Sequence, residues 1–209
     1  YEWQTNASGS YVTIAGATSA GYSPPLLTAT TSYQRRTVSL QNSVNCYSGY
    51  TAPVTVTVQS VVTAGTTGTD QTICNGTTPS PLTSTASGTG SGTISYEWQT
   101  NASGSYVTIA GATAEGYSPP LLTATTSYQR RTVSLQNSVN CYSGYTTPVT
   151  VTVQSVVTAG TIGTAQTICN GTTPSPLTST AVGTGSGTIS YEWQTNASGS
   201  YVTIAGARS

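Results

Sequence analysis

The 209 residues include five Arg, five acidic side chains, no Lys and no His, so only 5% of the chain is charged, against a usual quarter. Without His or Lys the chain can build no Ser-His-Asp or Cys-His nucleophile pair, no Schiff base and no P-loop lysine. A formal net charge of zero offers no basic footprint to nucleic acid, and no run approaches the roughly 18 apolar residues of a membrane span or shows a signal-peptide pattern. An enzyme is not expected, nor is a metal or a cofactor.

The chain repeats itself. Tyr1-Glu2-Trp3-Gln4-Thr5-Asn6-Ala7-Ser8-Gly9-Ser10 returns at Tyr96 and again at Tyr191, a period of 95 residues. Positions 1–95 and 96–190 differ at six places: Ser19/Ala114, Ala20/Glu115, Ala52/Thr147, Thr67/Ile162, Asp70/Ala165 and Ser87/Val182. The period is too long for a solenoid unit of about 20–50 residues and suits one β-sandwich domain of roughly 100. Short runs rich in Thr, Val and Tyr lie between Gly, Ser and Pro turns, and none carries a 3.6-residue apolar spacing, so the expected fold is all-β.

In chain order, one period predicts strands near 69–74, 82–87, 93–100, 105–109, 126–136 and 148–154, with a short one near 121–124. Asp70 is the only Asp and its repeat counterpart is Ala165, so a calcium-stiffened rod is not expected. Asn75-Gly76-Thr77 and Asn101-Ala102-Ser103 match the glycosylation pattern, which a Thr-rich chain also meets by chance. Gly88-Thr89-Gly90-Ser91-Gly92 has no following Lys or helix and reads as a turn, not a phosphate cradle. In strand 93–100, Ile94, Tyr96 and Trp98 share one face and Glu97 and Gln99 the other, making Trp98 the expected core anchor. Pro119-Pro120 forces an extended crossover. Leu122 to Tyr128 resembles the tyrosine corner of immunoglobulin-like sandwiches, in which Tyr128 would tie its hydroxyl to upstream backbone.

Arg130-Arg131 follow. Neighbours on a strand face opposite ways, so one of the two, Arg130 or Arg131, is expected to pair across strands with Glu97. Such an exposed pair is worth well under about 1 kcal/mol. Pro148 to Val153 alternates Val inward with Thr outward and reads as the last strand of a domain. Boundaries near 60 and 155 then give the C-terminal part of one repeat (1–60), a complete repeat (61–155) and the N-terminal part of the next (156–209). Half sandwiches leave open edges, so the chain is expected to be a piece of a much longer array, or its two part-domains to complete each other between neighbouring chains.

Four cysteines, Cys46, Cys74, Cys141 and Cys169, admit two pairings for the inner two. Cys46–Cys74 would cross the boundary near 60, whereas Cys74–Cys141 would tie the first strand of the complete domain to the loop before its last. The second is favoured, closing a loop worth about 4 kcal/mol on the chain-entropy model. Cys46 and Cys169 would then have partners outside the chain. Paired cysteines imply an oxidising, extracytoplasmic setting.

Taken together, Gln71-Thr72-Ile73-Cys74-Asn75-Gly76, Tyr96-Glu97-Trp98-Gln99, Ile109-Ala110-Gly111-Ala112-Thr113, Leu122 to Arg131 and Cys141 resemble a PKD-like/Ig-like repeat. Such modules occur in giant cell-surface adhesins of Bacteroidota, including the gliding-motility adhesins exported by type IX secretion. The resemblance covers the whole period. It implies tandem Ig-like domains in a filament on the bacterial surface, partnered by neighbouring repeats and by surface glycans or other surface proteins, with no catalytic residues. The alternative is a repeated carbohydrate-binding module in which exposed rings such as Tyr106, Tyr142 or Tyr145 stack on sugars and repetition supplies avidity.

Overall fold

A computed structural model describes residues 1–208, and among them the chain is all strand, turn and extended segment, with no helix. The strands before residue 61 are β1 (Glu2–Thr5), β2 (Val12–Thr13), β3 (Thr31–Arg36), β4 (Val38–Gln41), β5 (Val44–Tyr47) and β6 (Val54–Val56). Then come β7 (Thr66–Thr67), β8 (Gln71–Cys74), β9 (Ser84–Ala86), β10 (Thr93–Thr100), β11 (Val107–Thr108), β12 (Thr126–Gln136), β13 (Val139–Tyr145) and β14 (Val149–Gln154). The last are β15 (Thr161–Ile162), β16 (Ser179–Ala181), β17 (Glu192–Thr195) and β18 (Val202–Arg208).

Six predicted runs are occupied by β8, β9, β10, β11, β12 and β14. The short run at 121–124 is no strand: Leu122 makes only an isolated bridge to Thr77, directly after two prolines that bring no N–H to a ladder. Strand β13 goes beyond the prediction. It is the return arm of a hairpin whose turn is Asn137-Ser138, at φ 50° and 63°. Two successive left-handed residues make the primed turn that matches strand twist, and Asn42-Ser43 (φ 48° and 64°) does the same between β4 and β5.

Contacts gather the chain into two compact units, each discontinuous in sequence. One holds Tyr1–Gly65, Ser87–Tyr96 and Arg131–Tyr145; the other holds Thr66–Ala86, Glu97–Arg130 and Thr146 onward. Residues 61–155 contribute to both. In the first unit β2-β1-β3-β6 form one antiparallel sheet, and the 131–136 half of β12 pairs with β13. In the second, strand order is β11-β10-β12-β14-β8, with β14 antiparallel to β12 and parallel to β8. Two-stranded sheets β7–β9, β15–β16 and β17–β18 complete that unit.

The core of the second unit is Leu82, Trp98, Leu122, Tyr128, Val149 and Val151. Strand alternation puts it there: in β12 the buried positions are Thr126, Tyr128, Arg130, Thr132 and Ser134, every second residue. Outward hydroxyls pair across strands. Thr66 Oγ1 meets Thr85 Oγ1 at 2.7 Å and Ser127 Oγ meets Thr150 Oγ1 at 2.9 Å. The counterparts one period away, Thr161–Thr180 at 2.8 Å and Ser32–Thr55 at 2.7 Å, repeat the contact. Cross-strand hydroxyl pairs stabilise sheets without charge, which accounts for a surface so rich in Thr and Ser.

Matching residues are not equally enclosed in every copy. Val149 is 2% exposed and its counterpart Val54 67%; Leu82 is 2% exposed and its counterpart Leu177 58%. The same substitution should therefore cost differently in two copies. Leu82→Ala should lose about 2–5 kcal/mol by cavity formation, and Leu177→Ala less than about 0.5 kcal/mol. Urea unfolding followed by tryptophan fluorescence measures both.

Candidate functional site

Trp98 is fully buried, and its indole N–H donates to Ala114 O at 3.0 Å. Its ring lies 5.7 Å from Tyr117, which lies 5.7 Å from Tyr128. Burial, then the nearby Tyr117, hold the Tyr128 phenol above its ordinary pKa, and a hydrogen bond with the Thr100 side chain acts against them. That hydroxyl thus has a side-chain partner on neighbouring β10.

Arg130 and Arg131 part company completely. Arg130 is fully buried, with its guanidinium on Ser84 Oγ at 2.7 Å, on Ala86 O at 3.3 Å and on Glu115 O. Burying a cation is costly unless its donors find acceptors, and here Ser84 and two backbone carbonyls accept from the two terminal nitrogens of the guanidinium. Arg131 instead lies over the Tyr142 ring at 4.2 Å and the Tyr145 ring at 5.3 Å. In the first copy its counterpart Arg36 covers Tyr47 at 4.0 Å and Tyr50 at 5.0 Å, and pairs with Glu2 at 2.9 Å. Of the two Arg positions, it is Arg131 whose counterpart makes the carboxylate pair. Glu97 accepts from Thr108 Oγ1 at 3.2 Å, as Glu2 does from Thr13 and Glu192 from Thr203.

The guanidinium of Arg36 and then the hydroxyl of Tyr50 hold the Glu2 carboxyl below its ordinary pKa, against a smaller opposing effect of burial. The phenol of Tyr50 is pushed up, first by burial and then by its bond to Glu2. Tyr142 and Tyr145 therefore each offer a ring already faced by a cation, and Tyr106 is half-buried.

The remaining candidates resolve into structure. Asp70 Oδ1 accepts from Thr150 N at 2.8 Å, fixing the parallel β8–β14 pair. Asn75 Nδ2, the atom a glycan would need, donates to Thr123 O at 2.9 Å, and Asn101 Oδ1 accepts from Ser127 N at 2.7 Å. The expected Cys74–Cys141 bridge is not formed, since all four cysteines are free thiols. The sequence placed Cys141 in a loop. It sits instead within the β12–β13 ladder opposite Ser134, while Cys74 closes β8 level with Gln154.

Gly88 to Gly92 is more than a turn. A Cβ on Gly88 would meet Thr132 Oγ1 at 1.9 Å and Thr63 O at 2.6 Å, and one on Gly92 would meet Leu135 O at 2.3 Å. These glycines let the loop lie directly on β12. Nothing in the spacing of the run distinguished close approach from flexibility.

At the end of the first copy lies a polar seam. Ser134 Oγ donates to Gln59 Oε1 at 2.9 Å, and Gln59 Nε2 donates to Val139 O at 2.8 Å. Beside it Ser60 N donates to Ser91 Oγ at 3.1 Å, a bond that Ser155 N to Ser186 Oγ repeats at 3.0 Å one period later. Thr132 Oγ1 adds a bond to Ala64 O at 3.3 Å. A cleft of about 600 Å³ lined by Thr69, Gln71, Thr72, Ser80 and Thr83 also recurs one period on, at about 660 Å³, and no aromatic ring lines either copy.

A family model described as a domain of unknown function (DUF8696) matches residues 1–60 and again 63–155. No curated protein matches the chain. Among the described residues no helix is long and apolar enough to cross a membrane.

Gly92→Ala should lose about 1–3 kcal/mol through overpacking against Leu135. Gly187→Ala, whose new Cβ meets only Gln154 Oε1 at 3.7 Å, should be near neutral in the same denaturation assay. The lowered Glu2 pKa means that its contribution to stability is present above the ordinary carboxylate pKa and is lost as pH falls through the folded value. A carboxyl-carbon NMR titration should place the Glu2 midpoint lower in the native chain than in Arg36→Gln, and equal midpoints would refute the coupling.

Proposed function

The chain belongs to the DUF8696 family, and on that footing we propose that it is a non-catalytic stalk segment of a bacterial cell-surface adhesin, built from tandem Ig-like β-sandwich repeats outside the cell. The observation that carries this is the seam at residues 59–60. One glutamine side chain spends both its donor and its acceptor on Val139 and Ser134, and the adjacent Ser60 bond returns at Ser155. Neutral hydrogen bonds of this kind contribute about 1 kcal/mol each. Several placed side by side restrict a junction far more than a Gly/Ser tether does. Repetition of a restricted junction multiplies reach, which is what a stalk supplies.

The surface chemistry supports the same reading. Cross-strand hydroxyl pairs keep the repeat hydrated without attracting ions or polyelectrolytes, and the chain has few acids to serve as paired catalytic carboxylates. The arginine-faced tyrosines and the ring-free recurring cleft favour the stalk over a sugar-stacking module, because saccharide recognition draws on open aromatic faces.

Small-angle X-ray scattering of the full chain and of Gln59→Ala tests the proposal. The native chain should fit a narrow distribution of conformations, and Gln59→Ala should broaden it. A native chain that already scatters as a freely hinged ensemble would overturn the stalk reading.

A further inference from the structure

Asn-Gly occurs twice in the chain, in Cys74-Asn75-Gly76-Thr77 and, one period later, in Cys169-Asn170-Gly171-Thr172. The two turns close alike. Thr77 N donates to Cys74 O at 3.2 Å and Thr172 N to Cys169 O at 3.1 Å, and each threonine hydroxyl donates to the same carbonyl at 2.8 Å. Gly76 and Gly171 share the left-handed conformation, at φ 75° and 80°. Their outer contacts differ. Gly76 N donates to Leu122 O at 2.9 Å and Asn75 Nδ2 to Thr123 O at 2.9 Å, so the segment after Pro119-Pro120 holds both nitrogens. Among the described residues no such clamp holds Gly171 N or Asn170 Nδ2, and Asn170 and Gly171 are exposed where Asn75 and Gly76 are half-buried.

We propose that Asn170 is a self-modification site, converted to aspartate and isoaspartate by attack of the Gly171 backbone nitrogen, and that the Leu122-Thr123 clamp withholds Asn75 from the same reaction. The proposal does not draw on the stalk reading. It draws on the two atoms the reaction consumes. The attacking atom is the glycine nitrogen, which no Cβ screens from the side chain before it. The leaving atom is the asparagine Nδ2. In the 74–77 turn each of these atoms is engaged by a carbonyl of the clamp, and in the 169–172 turn each belongs to an exposed residue. Reaction at Asn75 therefore waits for a local opening that breaks both bonds, and reaction at Asn170 does not.

Chemically, hydroxide takes the Gly171 N–H proton, the nitrogen forms a bond to Asn170 Cγ, and the Cγ–Nδ2 bond breaks. Nδ2 leaves as ammonia, its third proton coming from water, which restores the hydroxide. Water then opens the cyclic imide at either carbonyl, giving aspartate or, with the backbone rerouted through the side chain, isoaspartate. Nothing is oxidised or reduced. One water is consumed, one ammonia is released and one carboxylate appears on a chain whose formal net charge is zero. At Asn75 the same change would remove the donor from Thr123 O and set a carboxylate against it, so the clamp preserves the amide that helps to form it.

The test incubates the full folded chain in mildly alkaline buffer and follows both asparagines by peptide mapping, in which conversion adds about 1 Da. The Asp70/Ala165 difference gives the two peptides distinct masses. Asn170 should convert about tenfold faster than Asn75 while the chain is folded. In urea, with the clamp gone, the two should convert at one rate, because both are followed by Gly-Thr-Thr-Pro-Ser-Pro-Leu. Gly171→Ala should slow conversion of Asn170 about tenfold, through the added Cβ, and leave Asn75 as it was. Equal rates in the folded chain overturn the proposal. So does a difference that persists in urea, which would place its cause outside the clamp, and so does a Gly171→Ala chain that converts as fast as the native one.

Discussion

Matching apolar residues of this chain are enclosed to very different degrees in different copies. Val54 and Val149 share a sequence context, as do Leu177 and Leu82, yet one member of each pair is mostly exposed and the other almost fully enclosed. Ile73 and Leu82 pack in the core with Val149 and Val151, whereas Val54 and Val56 are exposed. At about 1.5–3 kcal/mol for each large apolar side chain enclosed, the closed set of strands around Trp98 supplies the stabilisation. Matching hairpins and hydroxyl pairs also form in segments whose valines and leucines are far more exposed.

Two of the six differences between copies leave a shared contact intact. Ala114 and Glu115 bind Trp98 and Arg130 through their carbonyls, and Ser19 and Ala20 do the same for Trp3 and Arg35. Backbone acceptors survive a change of side chain, so both positions vary without disturbing the strap that holds the 110–117 loop over the ring cluster. The Asp70/Ala165 difference is of another kind, because Asp70 accepts from Thr150 N through its side chain and an alanine cannot.

Much of this was legible in the sequence. The period fixed the scale of the repeat, and alternation of Val with Thr placed β14. The single face shared by Ile94, Tyr96 and Trp98 pointed to the core. Three features were not legible. The β12–β13 hairpin turns on Asn-Ser, which lacks the glycine that marks primed turns. The full burial of Arg130, next to an Arg131 that stacks on Tyr142, depends on carbonyls brought from distant segments. Cysteine spacing leaves connectivity open, and here only the register of β8 on β14 and of β13 on β12 distinguishes the two kinds of position.

The enclosure of Trp98 by Leu82, Leu122, Tyr128, Val149 and Val151 is what the packing of the second unit depends on. Native-state hydrogen exchange reads it directly, because peptides carrying Thr147 and Ala52 separate two otherwise matching strands by mass. Amides of Val149–Gln154 should be protected by many orders of magnitude more than those of the corresponding 54–59 segment. Equal protection of the two would contradict the claim that the strand set around Trp98 forms a core its neighbours lack.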